Sequence, residues 1–212
     1  MNVAVLASGA GTNLQALLDR VHGRDGVQIV AVASDKPDAP ALQRVRAARI
    51  ANAAFPLTIH PGRVERDRAM ADWLVERDVE LVVLAGYMQL FGADFLARFP
   101  DAVINVHPAL LPAFPGLDAI GQAIAYGVKV FGVTVHFVDE GVDSGPVILQ
   151  RAIELPDARE PGDVLPRIHE IEHVLLPEAV RLIARGEVRI DSGDRRRVHV
   201  GPLAGSVESQ GR

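Results

Sequence analysis

Asn105-Val106-His107-Pro108 places an amide and an imidazole two residues apart. In a strand, residues two apart face the same way, and Pro108 biases His107 toward extended backbone, so both side chains converge. An amide donor beside an imidazole can bind an oxyanion and move a proton, as acyl transfer to an amine requires. The same pair could instead satisfy backbone groups at a strand end. The stiff loop that follows, Ala109 to Gly116 with Pro112 and Pro115, favours the chemical reading, because such loops past strand ends more often shape a site than merely connect. Asp143 is the second candidate, within Asp139-Glu140-Gly141-Val142-Asp143-Ser144-Gly145-Pro146. By composition this is an acidic turn. A carboxylate brought near His107 would also favour the imidazolium and orient it.

Two further segments suit anions or metals. Ser8-Gly9-Ala10-Gly11-Thr12-Asn13-Leu14 joins an apolar run to an amphipathic one. Its glycines allow close approach of an anion to free N–H groups at a helix N-terminus. Leu14 occupies the third glycine position of a dinucleotide motif and no P-loop lysine follows, so one phosphate fits better than a pyrophosphate. A ligand-free tight turn capped by Thr12 or Asn13 accounts for it equally well. His169-Glu170-Ile171-Glu172-His173 matches the helical zinc pattern H-E-x-x-H, but no third ligand has the expected spacing and Pro177 follows one turn later. It reads as an amphipathic helix with a buried stripe at Leu165, Ile168, Ile171 and Leu175, leaving Glu172 beside the stripe and free to face a site. No metal is expected.

The elements that must position these residues follow from hydrophobic periodicity. Val3 to Ala7, Gln28 to Ala33, Leu81 to Ala85 and Ala102 to Val106 read as strands, and Leu14 to Val21, Ala41 to Ile50 and Arg66 to Arg77 as helices. This alternation predicts an α/β protein, with a mostly parallel sheet covered by helices on both faces. Val130 to Val138 and Val147 to Ile153 lie too close for a crossover helix, which makes the sheet mixed. Asp163 can cap a last long helix carrying Pro166 in its first turn and kinked at Pro177. Gly9 to Asn13, Gly86 to Leu90 and Asn105 to Pro108 all follow strand C-termini, the ligand edge of doubly wound sheets. The chain has 212 residues, net charge -5 and no cysteine, which excludes thiolate catalysis and gives no general attraction for nucleic acid. Residues 1–190 are expected as one domain, with 191–212, including the solvated Arg195-Arg196-Arg197 cluster, as a polar, weakly ordered tail. Lacking a membrane span or secretory pattern, the chain is expected in the cytoplasm.

In this order the segments resemble the phosphoribosylglycinamide formyltransferase family of purine biosynthesis, to about Arg189. The resemblance rests on Asn2 to Leu18, Val83-Leu84-Ala85-Gly86-Tyr87-Met88, Asn105 to Gly116, Gly132 to Val138 and Asp143 to Gln150, with Glu172-His173 in the late helix. It implies a Rossmann-like formyltransferase fold, with 10-formyltetrahydrofolate as co-substrate and glycinamide ribonucleotide as acceptor. It implies a catalytic set of Asn105, His107 and Asp143. Gly11, Thr12 and Asn13 would hold the ribonucleotide phosphate, and His169, Glu170, Ile171 and Glu172 the glycinamide end. Folate contacts would come from Arg63, from Met88, Gln89, Leu90 and Phe91, from Asn105, and from Asp139, Glu140, Gly141, Val142 and Asp143. The partners implied are small molecules, with no nucleic acid or membrane, and the enzyme a monomer or homodimer. Gln89 stands where many relatives have arginine, Ala109 replaces a serine, and Asp118-Ala119-Ile120 replaces a histidine-bearing stretch. Two rivals are another formyl-folate enzyme, either a hydrolase or a transferase for another amine, and a non-catalytic nucleotide-binding module using the first turn and Asp35.

Overall fold

Near-continuous apolar strands cannot leave either sheet face to water, and the computed structural model, which describes residues 1–46 and 48–201, covers both. Seven strands, β1 (Asn2–Leu6), β2 (Gln28–Ser34), β3 (Ala51–Ala54), β4 (Leu81–Leu84), β5 (Val103–His107), β6 (Val130–Phe137) and β7 (Val147–Glu154), form one sheet. Their order is β3-β2-β1-β4-β5-β6-β7. The first five are parallel, β6 pairs antiparallel with β5, and β7 pairs antiparallel with β6. The expected mixed sheet is therefore observed. Val3 and Val5 of β1 join a core with helices α1 (Thr12–Arg20), α2 (Pro40–Arg46), α5 (Ala119–Tyr126) and α6 (Pro161–Ala184). Ala4 and Leu6, one residue out of phase, pack with α3 (Arg63–Val75) and α4 (Ala93–Arg98) on the opposite face.

Because β2 and β4 flank β1 on opposite sides, the strand order reverses at β1 and opens a crevice above its C-terminal end. Two loops meet there. Ser8 N–H donates to Gly86 O at 3.0 Å, and Met88 N–H donates to Ser8 Oγ at 2.9 Å. Gly11, at φ 70°, replaces the expected Thr12 or Asn13 as N-cap of α1. It also packs so close to α2 that a methyl would stand 2.9 Å from Ala41.

Several elements differ from expectation. α2 ends at Arg46 rather than Ile50, and the alanine-rich β3 had no β-branched residues to announce it. Asp163 is not the cap of α6; Glu160 is, and Asp163 answers it from the third helical position as a reciprocal capping box. This moves Pro166 past the first turn, and the helix runs unbroken through Pro177. Leu165 leaves the buried stripe and stands 39% exposed. Residues 191–201 are not a loose tail: β8 (Val188–Ile190) pairs antiparallel with β9 (Val198–Val200). Val188, Ile190 and Val198 pack on the main core, which gives the hairpin a reason to fold back. Arg195 pairs with Asp101 and Arg196 donates to Ser144 O, so the basic cluster is partly engaged. The remainder of that tail lies outside the described residues.

The turn from Asp139 to Pro146 rests on the end of β6 through Gly145, where a methyl would overlap the Phe137 carbonyl oxygen. Gly145→Ala is therefore expected to cost about 1–3 kcal/mol, the range for added atoms that force backbone shifts, read as a fall in midpoint in denaturant unfolding.

Candidate active site

Asn105 and His107 are the third and last residues of β5, where the alternation of the strand turns both toward the same carboxylate. Asp143 reaches them from the turn after β6. Its Oδ2 accepts from Gly116 N–H at 2.7 Å and lies 3.3 Å from His107 Nδ1. Its Oδ1 accepts from Asn105 Nδ2 at 3.3 Å and lies 3.6 Å from His136 Nε2. His107 Nε2 faces Phe114 O at 2.8 Å, and a carbonyl can only accept, so this nitrogen donates. With a carboxylate facing its other nitrogen, the ring is held between two acceptors.

Burial is the largest influence on Asp143 and pushes its carboxyl upward, but the His136 ring, the Gly116 N–H and the charges of His107 and His136 outweigh it. The net shift is downward from 3.8, so Asp143 stays ionised through neutral pH.

His136 was missing from the sequence-derived set. Its Nδ1 donates to Phe137 O at 2.8 Å, leaving Nε2 3.2 Å from Asn105 Nδ2. The β5–β6 register sets Asn105 opposite His136 and His107 opposite Thr134. Buried Thr134 also fastens the proline-rich loop: Oγ1 donates to Ala109 O at 2.7 Å and accepts from Leu111 N–H at 3.1 Å. Gln150 Nε2 adds a bond to Leu111 O at 2.8 Å. Phe114, Asp118 and Asp143 all have positive φ, at 53°, 56° and 49°. Such conformations cost on the order of 1–3 kcal/mol each and cluster where function requires them.

These residues border a cleft of about 750 Å³ lined by Gly86 to Leu90, Asn105 to Pro108, Gly116 to Ile120, Val142, Asp143, Pro161 and Leu165. A smaller chamber of about 80 Å³ opens beside Asn105, His136 and Asp143, with Gln89, Leu90, Phe91, Asp139, Glu140 and Gly141 also in its walls. Thus Met88 to Phe91, Asn105 and Asp139 to Asp143 are brought together. Phe91 contributes mainly from beneath, buried in a stack with Tyr87, Phe95 and Phe99. Arg63 is exposed, its guanidinium near Gly92, and is absent from both linings. Of the departures, Asp118 caps α5 by accepting from Gly121 N–H, and Gln89 bonds Arg66 and Asp35. That bond turns Asp35 to a structural use rather than the ribose contact of a dinucleotide binder.

The first turn and α6 form a second cluster. Asn13 Nδ2 donates to Glu172 Oε2 at 2.9 Å, both residues being buried, and Asn13 Oδ1 lacks a partner. His169 stacks on His173, with ring centres 6.1 Å apart. Glu170 turns outward to pair with Arg167, and Ile171 packs on the core, so neither joins the cluster. Among the described residues, no three His, Asp or Glu side chains are grouped to hold a metal ion.

Comparison with known proteins adds a match to the formyl transferase family over residues 1–180. The phosphoribosylglycinamide formyltransferase of Bacillus subtilis is 41% identical over 179 residues, 84% of this chain and 92% of that protein. The Haemophilus influenzae enzyme of the same name is 38% identical over 189 residues, 89% of each chain. The crystal structure of glycinamide ribonucleotide transformylase 1 from Symbiobacterium toebii superimposes with a TM-score of 0.90 at 44% identity, covering 95% of this chain and 94% of that one.

Burial raises the Glu172 carboxyl above its ordinary 4.5, against the lowering influences of Asn13 and His169. Its ionised form therefore costs stability at neutral pH, and the cost vanishes as pH falls through the folded-state value to below 4.5. Glu172→Gln, whose amide can also satisfy Asn13 Oδ1, is expected to gain about 1 kcal/mol at pH 7, roughly 2–4 °C in Tm for a chain of this size. Calorimetry across pH should show that gain shrinking toward pH 4.5.

Proposed function

The chain belongs to the formyl transferase family, and from that premise we propose that it transfers the formyl group of 10-formyltetrahydrofolate to the amine of glycinamide ribonucleotide, a cytoplasmic step of purine synthesis. The observation that carries this reading is the convergence of Asn105, His107 and Asp143 on the cleft floor of a chain that matches such transferases over nearly their whole length.

Attack of the amine on the formyl carbonyl forms a C–N bond, an oxyanion and an ammonium; collapse breaks the bond to the folate nitrogen, which takes a proton. Asn105 Nδ2, whose contacts to Asp143 and His136 are long, is the amide donor that turns to the oxyanion. His107, fixed through Nε2 by Phe114 O, brings its other nitrogen, Nδ1, from the long 3.3 Å contact with Asp143 to the same oxygen as a second donor, and Asp143 relays the ammonium proton through water. The chamber beside Asn105 and the exposed Met88, Leu90, Leu117 and Val142 at the cleft mouth suit the flat ring of a folate. The turn at Gly11 to Asn13 takes the ribonucleotide phosphate on the N–H groups of α1, and Glu172 with His169 holds the amine end. Remote binding of the phosphate thereby positions the attacking nitrogen.

The test is direct: with the formyl folate present, deformylated folate should be released only when the ribonucleotide is also supplied. Release without it would make the chain a hydrolase, and no release would end the reading. His107→Ala and Asp143→Asn should each lower kcat by about 10²–10⁴-fold, the usual worth of a positioned acid or base, while leaving ribonucleotide affinity intact. Thr12→Asp should do the reverse, weakening ribonucleotide binding measured by calorimetry, because its carboxylate would face the phosphate.

A further inference from the structure

Beneath one wall of the cleft lies an ion pair that the proposed chemistry does not use. Arg66 and Asp67, neighbours on α3, are 0% and 4% exposed, with Arg66 Nη2 2.5 Å and Nε 2.9 Å from Asp67 Oδ1. Removing two charges from water costs more than their attraction returns unless further hydrogen bonds satisfy them, and an apolar pair of similar volume would serve packing as well. Here the further bonds all run to one segment. Arg66 Nη1 donates to Gln89 Oε1 at 3.0 Å and Nη2 to Leu90 O at 3.2 Å, with the guanidinium 6.0 Å from the Phe91 ring centre. Asp67 Oδ2 accepts from Gly92 N–H at 3.1 Å. Gln89 Nε2 extends the network to Asp35 Oδ2 at 3.1 Å.

We propose that Arg66 is a positioning residue for formyl-donor recognition: its guanidinium sets the path of Gln89 to Gly92, and so the cleft wall against which the folate rests. This rests on the function proposed above. The planar fork is what the task requires, since it reaches a carboxylate, an amide oxygen and a backbone carbonyl at once. The segment needs such support, because Met88 and Leu90 stand 56% and 55% exposed at the cleft mouth, where apolar side chains would otherwise collapse inward. The ribonucleotide cluster at Asn13 and Glu172 shares no bond with the network, so the two substrates should respond differently.

Arg66→Met combined with Asp67→Asn removes both buried charges while leaving an acceptor for Gly92 N–H. The expected result is a rise of about tenfold or more in KM for the formyl folate, with KM for the ribonucleotide within about twofold, as for a displaced wall remote from the chemistry. Arg66→Lys keeps the charge beside Asp67 but not the fork, and should retain Tm while raising folate KM several-fold; it carries the test should the double variant fail to fold. An unchanged folate KM in the folded variants, or equal rises in both KM values, would overturn the role. Wild-type enzyme assayed in parallel separates the two readings. Lack of amine-dependent deformylation there removes the function, whereas an active wild type beside unaffected variants removes only Arg66.

Discussion

The site depends on one half-buried carboxylate that stays ionised. Asp143 gathers an N–H from the proline-rich loop, an amide from β5 and imidazoles from β5 and β6 around two oxygens. An anion in that position is costly unless satisfied, so the groups around it are drawn to defined distances. Three segments far apart in the chain are thereby held in register. The backbone strain at Phe114, Asp118 and Asp143 is sustained because these contacts over-determine the loops that carry it.

The sheet supplies what the carboxylate alone cannot. β5 is where parallel pairing gives way to antiparallel, so its C-terminal end lies between the parallel edge led by β4 and the second half of β6, Thr134 to Phe137. The first makes the crevice for a substrate, and the second brings His136 and Thr134 alongside Asn105 and His107. Buried Thr134, with Gln150 beside it, then ties down the loop that carries Phe114 and Gly116, the partners of His107 and Asp143. The C-terminal hairpin adds a brace from outside, through Arg196 on Ser144 O, next to Asp143.

Much of this was legible from residue types and spacing. Strands with strong apolar periodicity, the antiparallel pair and the placement of Asn105 and His107 all follow from short-range rules, and the structure contains them. His136 was illegible because its role comes from register across β5 and β6, which no local pattern specifies. Nothing in the helical stretch from Arg66 to Arg77 marks the Arg66–Asp67 pair as buried; only packing of α3 under Gln89 to Gly92 reveals it. Glu170 and Ile171 came into the expected set by resemblance alone, and helical periodicity turns them to solvent and to core. The hairpin of β8 and β9 was hidden by a polar composition in which only three valines and an isoleucine carry the pairing.

If Asp143 acts through His107 as one unit, removing either should forfeit what both supply, as losses within a catalytic assembly do not multiply. The decisive measurement is kcat for formyl transfer in His107→Ala, Asp143→Asn and the combined variant. The account predicts that the double variant is about as slow as the slower single one. Losses that multiply would contradict it, showing that the two residues work independently and that the carboxylate is not the organising centre.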